Sequence, residues 1–229
     1  MVDVALLRIG KVARVIDASV FDAWWERPLV WVDEPNRRRG GMSRTGVANS
    51  CDWPELATTG RIYVKRQEAF YCRPVWNAFR RTPTLRREHR FLLYCAANGI
   101  AVPRVLGYAE RGDRSLLILA AIEHTQELGR ALEERATERE EILDHTLNLL
   151  KRLHHARVRH GALHPKHLLV DERRLDVWLI DLEKARRATT RRRAAEPDLA
   201  QFFRHAPFLT QAERTRFRDA YVSADLIAR

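Results

Sequence analysis

The sequence is short of cysteine, glycine and proline. Its 229 residues include three cysteines, ten glycines and nine prolines. Cys51, Cys72 and Cys95 are odd in number, far apart and without CxxC spacing. This pattern argues against a disulfide framework or a zinc site and favours a reducing cytoplasm. The low glycine and proline content argues against a collagen-like chain or a chain dominated by linkers.

Long hydrophobic runs are also missing. A transmembrane helix needs about 18 consecutive apolar residues, whereas the longest candidate run, Leu116 to Ile122, has the length of a strand. Charged Asp3, Arg8 and Lys11 interrupt the N-terminal stretch where a signal peptide would need an apolar core. The sequence therefore predicts a soluble globular protein of the cytoplasm.

Positive charge is in excess. The formal net charge is +11 at pH 7, and arginines cluster at Arg37 to Arg39, at Arg186 and Arg187, and at Arg191 to Arg193. Such charge favours anionic partners such as phosphate groups, acidic lipids, acidic glycans or nucleic acid. Nucleic acid is the disfavoured member of this group, because aromatic residues do not interleave with the arginines as a stacking surface requires. A solvated basic surface without a specific partner remains an open alternative.

Hydrophobic periodicity divides the chain into a strand-rich and a helix-rich part. The segment Arg61 to Arg66 alternates polar and apolar residues, which predicts a strand. The segment Pro35 to Gly46 is rich in arginine and glycine, which is typical of a loop. Apolar residues at helical spacing and end signals predict the main helices over residues 84–98, 137–158, 196–203 and 211–226.

This order of elements predicts an α+β protein with two lobes. A small N-lobe, residues 1–122, would hold a β-sheet and one helix. A reduced and mainly helical C-lobe, residues 123–229, would contain one β-hairpin. The region around Ile122 to Gln126 would join the lobes.

The segment from His160 to Arg186 carries the strongest functional signal. An apolar triplet ending at Val170, a polar turn from Asp171, and a second apolar run predict a β-hairpin. A histidine-rich loop precedes the hairpin, and the acid Asp181 follows its second strand. This layout is typical of the phosphoryl-transfer loop and metal-binding aspartate of kinase-like folds.

Other residues at suitable spacing fit binding of a nucleotide. Lys65 on the predicted strand would hold the phosphates, and Glu88 on the predicted helix would orient Lys65 through an ion pair. A glycine-rich segment before Lys65 would let backbone N–H groups approach phosphate oxygens. Its candidate residues are Gly40, Gly41, Ser43 and Gly46.

Two positions in the loop depart from the kinase-like pattern. Ala162 occupies the place of an aspartate that orients the attacking hydroxyl and accepts its proton, and alanine can do neither. His167 occupies the place of a metal-binding asparagine, and imidazole suits Mn²⁺ and other transition metals better than Mg²⁺. His164 is the candidate to orient the substrate instead. His160 is expected to shape the loop, and Asp198 is either an anchor of this loop or a helix cap.

These segments resemble the lipopolysaccharide kinase (Kdo/WaaP-like) family, and most closely its InaA-like branch. The resemblance runs from about residue 20 to residue 225. The segments that carry it are 33–43, 63–67, 83–88, 99–103, 160–167 and 179–186.

The resemblance implies a protein kinase-like fold that binds ATP and Mg²⁺ or Mn²⁺ between two lobes. It also implies phosphorylation of a lipopolysaccharide inner-core sugar, heptose or Kdo, at the cytoplasmic face of the inner membrane. Lys65, Glu88 and Asp181 match the family pattern directly, and Asp181 and His167 are the candidate metal ligands.

Ala162 leaves two hypotheses open. The first is an active phosphotransferase in which Lys65, Asp181 and the metal supply most of the catalysis, with His164 or Glu183 in place of the missing carboxylate. The second is a pseudokinase, a nucleotide-binding module of envelope or stress physiology without turnover. A basic nucleic-acid-binding protein is a third and disfavoured reading.

Overall fold

The computed structural model describes residues 4–9, 12–38, 40–56, 58–72 and 81–226. The chain divides into two compact units. The first comprises residues 1–93 and 103–122, and the second comprises residues 94–102 and 123–229. The segment Tyr94–Val102 thus belongs to the second unit, although the sequence-based division places it with residues 1–122.

An antiparallel sheet of eight strands forms most of the first unit. Its strands are β1 (Val4–Ile9), β2 (Val12–Asp17), β3 (Val30–Trp31), β4 (Asn36–Arg38), β5 (Gly41–Asn49), β6 (Arg61–Glu68), β9 (Val105–Arg111) and β10 (Arg114–Ala120). Along the sheet the order is β2-β1-β9-β10-β6-β5-β3, and β4 pairs with β5. The strands β7 (Tyr71–Cys72) and β8 (Thr82–Pro83) form a separate short pair.

Helix α1 (Ala18–Glu26) packs its aromatic face on this sheet. Phe21 and Trp24 are buried together with Trp53 and with the strand residues Ile62 and Val64. Aromatic side chains of this size bury large apolar areas and therefore dominate the stability of a small core. This helix adds to the single helix, α2 (Thr84–Ala97), that the sequence predicts for the N-lobe.

The prediction of a loop over residues 35–46 is wrong, because β4 and β5 form a hairpin there. Gly40 turns the chain with φ of +82°, a left-handed conformation that glycine adopts without strain. Strand β5 pairs with β3 at Gly46 and with β6 along its length. Most of the glycine-rich segment therefore lies in the sheet.

The second unit is mainly helical. Its helices are α3 (Leu128–Glu134), α4 (Arg139–His155), α5 (Arg191–Arg204) and α6 (Gln211–Leu226). A three-stranded sheet has the order β11 (Thr125–Glu127), β13 (Leu168–Asp171), β14 (Val177–Leu179), and β12 (Val158–Arg159) pairs with β15 (Arg186–Arg187). The hairpin β13–β14 is the one that the sequence predicts.

Helix α4 forms the core of the second unit. Its apolar stripe is buried as the helical spacing predicts, and the stripe consists of Ile142, Leu143, Leu147, Leu150 and Leu153. Each such side chain contributes roughly 1.5–3 kcal/mol when it leaves water completely. In the part of the chain that the structure describes, no helix is both long and apolar enough to span a lipid bilayer.

Candidate functional site

Lys65 and Glu88 form an ion pair in the first unit. The Lys65 ammonium lies 2.7 Å from Glu88 Oε1, and the side chains are only 17% and 1% exposed. Strand β6 presents Lys65 between the buried side chains Val64 and Arg66, and Glu88 lies on the second turn of α2. Burial makes this pair sensitive to the loss of either partner, because a lone buried charge is costly.

Gln67 fixes the start of α2 relative to β5 and β6. Its side-chain Oε1 accepts a hydrogen bond from the Leu85 N–H at 3.2 Å, and its Nε2 donates to Ser43 Oγ at 3.0 Å. Gln67 therefore binds the first turn of the helix. Because Glu88 lies on the same helix, the hydrogen bond from Leu85 to Gln67 also fixes the position of the Glu88 carboxylate beside Lys65.

The candidate phosphate-binding glycines have packing reasons of their own. A Cβ atom on Gly41 would overlap with the backbone oxygen of Ala69, and a Cβ on Gly46 would lie 2.7 Å from the Cβ of Leu29. Ser43 is already bonded to Gln67. The local structure thus explains these residues without a ligand, and their contact with a phosphate stays a prediction.

Asp198 anchors the histidine loop of the second unit. Its carboxylate accepts hydrogen bonds from the backbone N–H groups of His160 at 2.6 Å and Gly161 at 2.9 Å. His154 Nε2 lies 3.3 Å from the same carboxylate. The N-cap of α5 is Thr190, whose side chain accepts from the Arg193 N–H. Asp198 is therefore the loop anchor, and the alternative of a helix cap is wrong.

His160 holds the loop against the end of β14. Its Nδ1 accepts from the Ala162 N–H at 3.3 Å, and its Nε2 donates to the carbonyl of Ile180 at 2.9 Å. Burial lowers the pKa of His160 below its ordinary value, so the ring is neutral and has one donor and one acceptor. The structural role predicted for His160 is confirmed by these bonds.

The His167 ring and the Asp181 carboxylate face each other, and the two facing atoms both carry lone pairs. His167 Nδ1 lies 2.7 Å from the Ala162 carbonyl, which can only accept, so Nδ1 carries the proton. Burial lowers the pKa of His167 to about 4, so at neutral pH its Nε2 carries a lone pair. This Nε2 lies 3.3 Å from Asp181 Oδ2. Two such atoms at this distance repel each other unless a cation lies between them.

These two side chains fit a divalent cation as a two-ligand set. Among the described residues, no group of three or more His, Cys, Asp or Glu side chains is arranged around a possible metal position. Magnesium in phosphoryl-transfer sites often has only one or two protein ligands, since phosphates and water complete its shell. An imidazole in the set shifts the preference toward Mn²⁺.

His164 is held through one nitrogen. Gln201 on α5 bonds its Nε2 at 2.9 Å, and the His205 ring packs against it at a centroid distance of 4.2 Å. Burial, followed by the neighbouring His205, lowers the pKa of His164. With the Gln201 amide donating to Nε2, the proton of the neutral ring lies on Nδ1, which is then a hydrogen-bond donor. Sequence analysis missed Gln201 and His205, because nothing local links them to the loop.

Ala162 contributes its backbone to the loop. Its carbonyl accepts from the His164 N–H at 2.9 Å as well as from His167, and its methyl group is buried. The loop therefore closes around this residue without a carboxylate.

The fold of this chain matches the folds of two solved structures. WaaP in complex with acyl carrier protein matches with a TM-score of 0.63 and 19% identity, over 95% of this chain and 88% of that one. An aminoglycoside 3'-phosphotransferase of type VIII matches with a TM-score of 0.57 and 16% identity, over 90% of this chain and 91% of that one. The fold is protein kinase-like, α+β with two lobes, as the sequence predicts.

The sequence itself identifies the family. Residues 22–221 match the lipopolysaccharide kinase (Kdo/WaaP) family, and the chain belongs to this family. Protein InaA of Escherichia coli (strain K12) is 27% identical over 213 residues, which cover 88% of this chain and 94% of that protein. The predicted resemblance is confirmed. Family and fold together support a phosphotransferase of the lipopolysaccharide kinase type, and the family implies use of ATP.

Proposed function

We propose that this protein transfers the terminal phosphoryl group of ATP to a hydroxyl group of a lipopolysaccharide inner-core sugar, releasing ADP. The oxygen of the sugar hydroxyl forms the new bond to phosphorus, the bond to the ADP oxygen breaks, and the hydroxyl proton leaves to solvent. The reaction would take place at the cytoplasmic face of the inner membrane. The observation that carries this proposal is the ion pair of Lys65 and Glu88 in a chain of this family.

Lys65 has the role of binding the α- and β-phosphates. Its ammonium is a compact charge with three donors, of which Glu88 takes one at 2.7 Å. The buried Glu88 carboxylate points the ammonium in one direction. Phosphoryl transfer depends mainly on such placed charge, because the transition state needs little covalent help from the protein.

Asp181 and His167 have the role of holding the divalent cation, and Mn²⁺ suits this pair better than Mg²⁺. When bound, the cation neutralises charge that develops on the phosphate oxygens. Asp181 lies two residues after the end of β14, and its left-handed backbone, with φ of +62°, accompanies a carboxylate that faces His167.

His164 has the role of orienting the acceptor. Its Nδ1 has no hydrogen-bond partner within the residues that the structure describes, and the tautomer set by Gln201 makes this atom a donor. A donor can hold the oxygen of the sugar hydroxyl but cannot accept its proton. The substrate proton must then leave without a base, which a loose transition state tolerates.

A pseudokinase is the second candidate function, and Ala162 favours it. Loss of a general base typically lowers the rate by ~10²–10⁴-fold. In this reading the chain binds ATP and a cation through the same residues, without turnover, and serves as a nucleotide-responsive module of the envelope.

Nucleotide binding with each metal tests both functions. We expect a thermal shift with ATP that is larger with Mn²⁺ than with Mg²⁺, and Lys65→Ala and Asp181→Ala should each abolish it. Asp176→Ala, on the exposed turn of the β13–β14 hairpin, is the matched control and should leave it unchanged. No shift with either metal would contradict both functions.

Transfer of ³²P from ATP to a lipopolysaccharide extract separates the two. If the unaltered protein labels the lipopolysaccharide and Asp181→Ala does not, the result supports the phosphotransferase. Binding without labelled product supports the pseudokinase and removes the first proposal.

A further inference from the structure

A basic cavity lies in the second unit, away from the histidine loop. Its volume is about 530 Å³, and the end of α2, the end of α4, strand β15 and the start of α5 contribute to it. The cationic side chains that line it are Lys151, Arg152, Arg157, Arg187 and Arg191. Its lining contains no carboxylate. The cavity thus collects positive charge without compensation from its own walls.

Several arginines elsewhere in the described residues form ion pairs with carboxylates. Examples are Arg86 with Glu110, Arg139 with Glu213 and Arg216 with Glu140. By contrast, the structure records no ion pair of Lys151, Arg152, Arg157 or Arg187 with any residue that it describes. Like charges that converge on one cavity repel each other and destabilise the compact state. A bound anion would remove this repulsion.

The walls of the cavity are built to hold the cations in place. The Arg187 guanidinium lies 4.5 Å from the centre of the Tyr94 ring, and the Tyr94 hydroxyl donates to the Ala156 carbonyl at 3.3 Å. Directly after β15, the Ala188 N–H donates to the Arg157 carbonyl at 2.8 Å. The Arg191 guanidinium stacks on Tyr221 at 5.5 Å. An arginine that is stacked on an aromatic ring loses little further freedom when it binds an anion.

We propose that this cavity binds the phosphate groups of a small, multiply phosphorylated molecule. The guanidinium fork matches two phosphate oxygens at once, and several forks on one cavity favour more than one phosphate group. The volume lies in the range of cavities that hold small ligands. The same chemistry is offered by a soluble sugar bisphosphate and by the headgroup of a phospholipid with two phosphates.

The proposed cavity is independent of the phosphoryl-transfer residues. Lys65, Glu88, Asp181 and His167 are not among its lining residues. Binding there is expected whether or not the chain turns over ATP, so the failure of one proposal leaves the other standing.

The experiment is calorimetric titration of the whole chain with inorganic pyrophosphate, glucose 1,6-bisphosphate and glucose. A second arm measures co-sedimentation with phosphatidylcholine vesicles that contain or lack cardiolipin. We expect both phosphorylated small molecules to bind and glucose not to bind, with weaker binding as NaCl is raised. If binding appears only with cardiolipin vesicles, the source of the phosphates is the lipid headgroup.

The variant R152Q/R187Q localises the binding. It should weaken the affinity by about a hundredfold, because each charge-assisted hydrogen bond contributes roughly tenfold or more. The matched control, R173Q/R174Q, removes the same charge from the exposed β13–β14 turn and should leave binding unchanged. Arg152→Gln alone, at an exposed position, serves as the second variant if the double variant does not fold.

Several results would overturn the proposal. The first is that no ligand binds in either arm, and the second is that R152Q/R187Q binds as tightly as the unaltered protein. The third is that R173Q/R174Q loses as much affinity as R152Q/R187Q, which would indicate binding by diffuse surface charge. A single-stranded RNA oligonucleotide that binds through Arg152 and Arg187 while pyrophosphate does not would also overturn it, in favour of a polymer-binding surface.

Discussion

The Lys65–Glu88 pair of the first unit and the histidine loop of the second unit follow the kinase-like pattern to different extents. In the first unit both members of the ion pair are present and lie 2.7 Å apart. In the second unit Asp181 is kept, but its neighbour is an imidazole and position 162 carries a methyl group. The residues proposed to bind the nucleotide are thus retained, while those that would handle the acceptor proton are replaced.

The two regions differ in how much stability is lost when one of their residues is replaced. Glu88 is fully buried, and loss of Lys65 would remove the opposite charge that lies 2.7 Å from its carboxylate. The loop around Ala162 is held by backbone bonds to Asp198, His160 and His167, which do not depend on the side chain at position 162. The loop therefore keeps its shape with alanine, whereas the ion pair cannot lose a member without a large cost.

Restoring the carboxylate of the loop should have the largest effect. If the chain is an active phosphotransferase, Ala162→Asp should raise the rate of phosphoryl transfer by about 10²–10⁴-fold, because an acceptor for the hydroxyl proton is regained. Initial rates of ³²P transfer to lipopolysaccharide extract measure this, and Ala212→Asp, at an exposed position of α6, controls for added charge. An unchanged or lower rate in a folded Ala162→Asp variant would show that the missing carboxylate does not limit turnover.

Breaking the ion pair should have the next largest effect. Lys65→Ala should lower the free energy of unfolding by ~3–5 kcal/mol, because the Glu88 carboxylate stays buried without its partner. Urea denaturation at pH 7 gives this value. The matched control is Arg114→Ala, which removes the cation from the more exposed pair with Glu68, with side chains 40% and 38% exposed. It should cost no more than about 1 kcal/mol, and equal costs for both variants would contradict the argument.

Weakening the loop anchor should have an intermediate effect on stability. Asp198→Asn should cost about 2–3 kcal/mol, because one amide oxygen cannot accept from both backbone N–H groups and His154 as the carboxylate does. Thermal denaturation measures the loss. Asp219→Asn on α6 is the control, and an equally small shift in both variants would mean that Asp198 does not hold the loop.

Replacing the unusual imidazole should have the smallest effect. His167 has a pKa of about 4 in the folded chain and 6.5 when unfolded, so the unfolded chain binds a proton that the folded chain does not between these values. Stability should therefore fall as the pH drops from 6.5 toward 4. His167→Asn should reduce this fall by about 1–2 kcal/mol in urea titrations at pH 7 and pH 4.5. It should also shift the metal preference from Mn²⁺ toward Mg²⁺, and identical pH slopes would contradict the assignment.

Several elements could be predicted because their signals are local. Helix α6 begins with a capping box, in which Thr210 Oγ1 accepts from the Glu213 N–H and Glu213 Oε2 accepts from the Thr210 N–H at 2.7 Å. The hairpin turn is set by Asp171, whose carboxylate accepts from the N–H groups of Arg173 and Arg174. Both features are complete within a few residues of sequence.

The errors fall where distant residues decide the local structure. The β4–β5 hairpin lacks an alternating apolar pattern, and β5 is held by its pairing with β6, which is remote in sequence. Helix α5 is an exception: it begins at Arg191, earlier than the predicted residue 196, because of a local cap by Thr190 that the sequence analysis missed. Strands β1 and β2 join the sheet through the pairing of β1 with β9, which is about 100 residues away in the sequence.

By itself the sequence determined the kinase-like class and the α4 core, because motif spacing and helical periodicity are written along the chain. It also predicted Lys65, Glu88 and Asp181 as site residues, and their roles stay predictions. Only the tertiary structure decided that Asp198 is a loop anchor, that His167 faces Asp181 with a lone pair, and that Gln201 sets the tautomer of His164. Tautomers, buried pairs and the cations that line a cavity depend on which side chains share a low-dielectric space, and chain order does not record that neighbourhood.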